Sequence, residues 1–126
     1  MTFLLDTNIV IAALNREAAV EGQIAGKTIF LGSIVLGELY YGARKSIRTT
    51  ENLAKIEAFT ANYPILNCDK QTADQYGLLK QALEIKGGII PENDMWIAAL
   101  AKQHNLTLVT RDEHFKRVDG LGIARW

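Results

Sequence analysis

Cys68 is the only cysteine in the 126 residues, so no internal disulfide can form. A buried, inert thiol in a reducing compartment is the expected state. Long apolar runs are missing as well: nothing approaches the ~20 residues that a membrane helix needs. The N-terminus lacks the basic stretch, apolar stretch and small-residue cleavage site of a secretion signal. These absences place the expectation in the cytoplasm, away from membranes. Net charge is also absent, because 14 Lys and Arg offset 14 Asp and Glu. That excludes a protein that coats nucleic acid by bulk positive charge, although opposite charges segregated on one surface would still suit a nuclease. No linker, internal repeat or low-complexity segment divides the chain, so residues 1–126 read as one domain long enough to bury a core.

What is present is a regular alternation. Phe3-Leu4-Leu5 runs without a break into Asp6-Thr7-Asn8, which suits a strand buried on both faces and therefore the middle of a parallel sheet. Apolar Ile9–Leu14 reads as a short helix, and a second helical stretch reaches about Ala25 before Gly26. Thr28–Leu31 is a second strand. Ser33 is the expected N-cap of a helix over Ile34–Ala43, with Gly37 allowing a close backbone approach. Thr49 or Thr50 caps a helix that must end before Pro64.

Ile65-Leu66 is a short third strand. Asp69 caps the longest helix, whose Ala73, Tyr76, Leu79 and Leu83 recur at helical spacing before Gly87-Gly88. Pro91 introduces a helix to about His104, with Asn105 as its left-handed stop. Leu106–Val109 is a fourth strand, Thr110 to Glu113 has the form of a capping box, and a weak strand lies near Gly122–Ala124. Strands alternating with helices imply an α/β fold with helices on both faces of a parallel sheet of four to five strands.

In such sheets ligands bind outside the carboxyl ends of the strands. Asp6 follows the first strand, Glu38 lies early in the helix after the second, Asp94 in the first turn after Pro91, and Asp112 after the fourth strand. One acid at a helix start is ordinarily a cap or dipole partner. Four at matched places converge on one cleft, where they repel one another unless a cation neutralises them. Hard oxygen donors select Mg²⁺ or Mn²⁺ over zinc. His114, with no second histidine or cysteine near it, makes a poor zinc site. An aspartyl phosphatase would carry a second acid where Asn8 stands, a receiver domain would need paired acids there, and no glycine-rich phosphate loop is present.

Leu4-Leu5-Asp6-Thr7-Asn8, Gly37-Glu38-Leu39-Tyr40-Tyr41-Gly42, Asn93-Asp94-Met95-Trp96-Ile97-Ala98-Ala99 and Leu108-Val109-Thr110-Arg111-Asp112 resemble the signature segments of PIN-domain proteins. The chain's size and the closing Phe115–Leu121 stretch are similar to the VapC-type toxins of bacterial toxin–antitoxin pairs. The resemblance implies a three-layer PIN-like fold and a Mg²⁺- or Mn²⁺-dependent endoribonuclease, silenced by a cognate VapB-type antitoxin. It makes Asp6, Glu38, Asp94 and Asp112 the acidic ligands, with Thr7 or Thr110 as a hydroxyl partner. The competing expectation is a non-catalytic RNA-binding or regulatory module, which would bind RNA and leave it whole.

An acidic cleft holds RNA only with cations at its rim. Arg44, Lys45 and Arg48 leave the helix of Glu38, and Arg111 adjoins Asp112. Taken alone, the first three read as a solvated helix end. Tyr40, Tyr41 and Ile47 exceed what one helix face can bury, which favours a homodimer.

Overall fold

The computed structural model describes all residues, Met1–Trp126. Its elements are β1 (Thr2–Leu5), α1 (Thr7–Leu14), α2 (Ala18–Ile24), β2 (Thr28–Gly32), α3 (Ser33–Arg44), α4 (Thr49–Thr60), β3 (Ile65–Leu66), α5 (Lys70–Ile85), α6 (Glu92–Gln103), β4 (Thr107–Val109), a 3₁₀ turn (Glu113–Arg117) and β5 (Ile123–Ala124). The strands form one sheet in the order β3-β2-β1-β4-β5, and every pairing is parallel. Phe3, Leu4 and Leu5 are buried at its centre, as their unbroken apolar run requires.

The connections explain where a site can form. From β1 the chain steps outward to β2 and β3, then returns through α5 and α6 to β4 on the other side of β1. Right-handed crossovers put α1–α4 on one face and α5 and α6 on the other. Strand order therefore reverses between β1 and β4, and a crevice opens beyond their carboxyl ends.

A single core of 27 buried residues joins sheet and helices. On α6, Ile97, Ala98, Leu100 and Ala101 are all buried. Close approach falls at Gly32 rather than at the expected Gly37. A Cβ at Gly32 would lie 2.8 Å from Leu100 Cδ2, whereas one at Gly37 would meet nothing within 4 Å.

Several local expectations hold. Asp69 caps α5 in a capping box with Thr72, and Asn105 is left-handed at φ 54°. Others need correction. Gly32, not Ser33, precedes α3, and the Ser33 hydroxyl faces the Cys68 sulfur instead. Cys68 is half-buried rather than buried, with its thiol pushed up by burial. On α5, Leu79 and Leu83 are buried, but the buried residue of the first turn is Thr72 while Ala73 faces solvent. No helix is long and apolar enough to cross a membrane.

Candidate active site

Asp6 ends β1 and caps α1. Its Oδ1 accepts the Thr7 backbone N–H at 2.8 Å. Its Oδ2 accepts the Thr110 hydroxyl at 2.7 Å and, more weakly, the Asn8 amide at 3.4 Å. Only 5% of Asp6 is exposed. Burial raises its pKa, and the bonds from Thr110 and Thr7 offset that only in part. The Thr110 hydroxyl accepts the backbone N–H of Asp112 at 2.9 Å while it donates to Asp6. Thr110 is thus a clip between the ends of β1 and β4, not the cap of a capping box. The cap of the 3₁₀ turn is Asp112, whose Oδ1 accepts the His114 N–H at 2.9 Å, and Glu113 turns outward to Lys116 and Arg125.

Glu38 enters from the second turn of α3. Its Oε1 is buried with no hydrogen-bond partner, and so is the Thr7 hydroxyl. Burial first, then the charges of Asp6 and Asp94, raise the Glu38 pKa; the nearby Thr7 hydroxyl lowers it, without reaching hydrogen-bond geometry. Asp94 stands in the first turn of α6. Its pKa is raised by burial, then by Asp6 and Asp112, with His114 offsetting part of the rise. No lysine or arginine forms an ion pair with Asp6, Glu38, Asp94 or Asp112. The four acids and both threonines therefore border the β1/β4 crevice, but no three of the acids bring donor atoms within 4.8 Å of one another, and Asp6 and Glu38 reach the others through their charges.

His114 joins them. Its Nδ1 lies 3.1 Å from Asp112 Oδ1 and 3.6 Å from Asp94 Oδ2, and one donor atom from each of these three residues lies within 4.8 Å of the others. Spacing in the chain does not reveal this, because Asp94 reaches the imidazole only through the fold. Asn8 is a second participant that no local pattern marks: its amide bonds Asp6, and its Oδ1 accepts the Arg111 N–H at 3.3 Å.

These residues fit a divalent cation. Buried carboxylates with raised pKa values and no cationic partner are costly on their own. Glu38 Oε1 and the Thr7 hydroxyl are buried acceptors left empty, and the donors are mainly hard oxygens, which suit Mg²⁺ or Mn²⁺.

The basic residues divide. The Arg111 guanidinium donates to the Trp126 carbonyl at 2.8 Å and pairs with Glu17 at 2.5 Å, so it ties down Trp126 and is not free at the rim. Arg48 sits loosely by Glu51 at 3.8 Å, Lys45 lies 4.7 Å from the centre of the Tyr41 ring, and Arg44 is exposed. Arg44 and Lys45 follow Glu38 by roughly 9–10 Å of helix rise.

The PIN domain family matches residues 3–121. A ribonuclease VapC2 of Rickettsia felis is 37% identical over the whole chain and 98% of its own length. A tRNA(fMet)-specific endonuclease VapC of Shigella flexneri is 35% identical with the same coverage. Among solved structures, VapBC2 of Rickettsia felis bound to a promoter DNA fragment superposes with a TM-score of 0.94 at 36% identity, covering 100% of this chain and 99% of that one. The chain belongs to the PIN-domain family, among its VapC-type members.

Proposed function

We propose that residues 1–126 form one catalytic unit, a Mg²⁺- or Mn²⁺-dependent endoribonuclease of a toxin–antitoxin pair that acts in the cytoplasm on single-stranded or loop RNA. The observation that carries this is the set of converging acids without a basic partner, three of them with raised pKa values. A set built for stability would be paired. The name of the Shigella relative makes transfer RNA a first substrate to test.

In this reading Asp6, Glu38, Asp94 and Asp112 would hold the ion. When bound, it supplies Lewis acidity for the attacking water and the phosphodiester. Thr110 fixes Asp6 relative to Asp112, and Asn8 fixes Asp6 relative to the start of the Arg111 turn. Both bonds keep the carboxylates oriented before substrate arrives, so little reorganisation is needed during reaction. Arg44, Lys45 and Arg48 contact phosphates beyond the cleft, which positions a strand without reading its sequence. Arg111 serves the fold instead.

The VapBC2 complex of the structural relative supports a cognate VapB-type antitoxin here. A groove between α1, α3 and α4 is lined by Ile11, Leu14, Leu39, Ala43 and Ile56, with Glu38 at its edge. An apolar segment of the antitoxin would fill it, with an arginine reaching the acids. Tyr41 and Ile47 stay exposed on and beyond α3, which supports a homodimer; light scattering showing only monomer at tens of micromolar would count against that.

The test is incubation of purified protein with transfer RNA and unstructured RNA, with Mg²⁺, with Mn²⁺ and after chelation. Cleavage that needs the ion and is lost in Asp94→Asn supports the assignment. RNA bound and left intact under all conditions would favour the regulatory-module reading.

A further inference from the structure

Within the site, one donor differs in kind from the rest. His114 Nδ1 is buried at the atom level and has no hydrogen-bond partner, although the side chain as a whole is 44% exposed. The nearest acceptor, Asp112 Oδ1, is 3.1 Å away but already accepts the His114 backbone N–H, and the ring nitrogen makes no hydrogen bond to it. Asp94 Oδ2, at 3.6 Å, is beyond hydrogen-bond range. The imidazole Nδ1 thus faces two carboxylates in the crevice without hydrogen-bond geometry to either.

The separations carry information of their own. Two donors about 2.1 Å from a shared ion are roughly 3.0 Å apart at a right angle and roughly 3.4 Å apart at a tetrahedral one. The 3.1 and 3.6 Å separations in the crevice lie close to that range. Asp112 and His114 are placed by one short turn, since Asp112 caps it and His114 is its second residue. Asp94 is delivered from α6 on the far side of the crevice.

We propose that His114 is a direct nitrogen ligand in the metal site, bound through Nδ1 beside Asp94 and Asp112. The proposal rests on the metal-dependent reading above and deepens it. It turns an all-oxygen site into a mixed one. Imidazole offers little to Mg²⁺, which is satisfied by carboxylate and water, and more to first-row transition ions. His114 therefore biases the site toward Mn²⁺ and similar ions, whereas the acids alone would hold Mg²⁺ comparably well. With Nδ1 on the metal, the ring proton resides on Nε2.

Electron spin-echo spectroscopy on Mn²⁺-loaded protein reads this without any assay of cleavage. The wild type is expected to show the ¹⁴N coupling of a coordinated imidazole, and labelling histidine with ¹⁵N is expected to change it. His114→Gln removes the signal; the other histidine, His104, remains in that variant as an internal control. Calorimetric titration of the same proteins is expected to show Mn²⁺ affinity falling ~10-fold or more in His114→Gln, with Mg²⁺ affinity changing much less.

Mn²⁺ bound by the wild type with no imidazole coupling would overturn the ligand role and leave the acidic site standing. No Mn²⁺ binding at all would overturn both. Equal losses for Mg²⁺ and Mn²⁺ would show that His114 only orients Asp112, which also contradicts the proposal. Because the spectroscopic measurement is made on the wild type, it does not depend on the variant folding.

Discussion

Glu92 and Asp94 sit in the same first turn of α6, under the same helix dipole, and their pKa values move in opposite directions. Glu92 accepts the Tyr76 hydroxyl at 2.6 Å and the Lys80 ammonium at 2.9 Å, and these bonds hold it below the ordinary range. Asp69, the cap of α5, is lowered in the same way by the Thr72 N–H, with help from the Gln103 side chain. Asp94 faces Asp6 and Asp112 from a half-buried position and is raised. An acid at a helix start is therefore not informative by itself. What separates the α5/α6 seam from the β1/β4 crevice is the balance of burial and bonding: acids in the seam are exposed and their hydrogen bonds prevail, whereas burial beside other acids prevails at Asp6, Glu38 and Asp94.

The largest expected contrast is in activity. Asp94→Asn should lower RNA cleavage by at least ~100-fold and leave the melting temperature equal or higher, because it removes repulsion. Glu92→Gln, two residues away, should leave cleavage within about 2-fold while lowering the melting temperature. Steady-state cleavage and thermal melts on both variants check this pair, and similar activity losses in both would erase the distinction.

Thr110→Val keeps the shape and removes the clip. It strands the Asp112 N–H and takes a donor from buried Asp6, so denaturant unfolding should show a loss of about 1–3 kcal/mol. Cleavage should fall too, because Asp6 and Asp112 lose their shared tether. An unchanged unfolding curve would mean that the hydroxyl is not what holds the strand ends together.

The pH dependence follows from the same contrast. Asp6, Glu38 and Asp94 have folded pKa values above their unfolded ones, so the folded protein binds more protons in the window between the two. For these groups stability is highest below the unfolded value, and it falls as pH rises through the folded one. Asp69 and Glu92 are lowered. Their contribution is present above the unfolded value and is lost as pH falls through the folded one. In metal-free protein, Asp6→Asn/Asp94→Asn should therefore flatten the decline in melting temperature as pH rises from about 4 towards 7, and Glu92→Gln should not. Parallel profiles for wild type and double variant would contradict the assignment of strain to the crevice.

The smallest effect belongs to the exposed cations. Arg44→Ala/Lys45→Ala/Arg48→Ala should weaken binding of all RNAs alike, with calcium replacing magnesium to suppress cleavage. The log–log salt slope should flatten by about 0.7 per lost single-strand contact. An unchanged slope would mark the cluster as a solvated helix end.

The parts of this arrangement legible in the sequence are those set by local pattern. The unbroken Phe3-Leu4-Leu5 run placed β1 at the sheet centre, and the alternation of elements implied the crevice that Asp6, Glu38, Asp94 and Asp112 border. Local pattern misleads where a residue has a tertiary use. Thr110-Arg111-Asp112-Glu113 has capping-box spacing, but the turn begins two residues later and the hydroxyl goes to Asp6, 104 residues away. Gly37 is the conspicuous glycine because it lies inside a helix, where glycine is costly, yet the close approach is at Gly32 against Leu100. Arg111 adjoins Asp112 in the chain, while its guanidinium reaches Glu17 and Trp126. His114 matters because α6 brings Asp94 to it, which no spacing in the chain records.

On the proposed function, the β1/β4 crevice is destabilised until a divalent cation fills it. The most direct measurement is the melting temperature of the wild type, first stripped of metal and then titrated with Mn²⁺ or Mg²⁺ into the millimolar range. Ligand linkage predicts a rise that continues with concentration, equivalent to about 2.7 kcal/mol at a hundred times the dissociation constant, and one that Asp6→Asn/Asp94→Asn largely abolishes. A melting temperature that does not move with either ion, or that rises equally in the double variant, would show that the crevice is not a metal site.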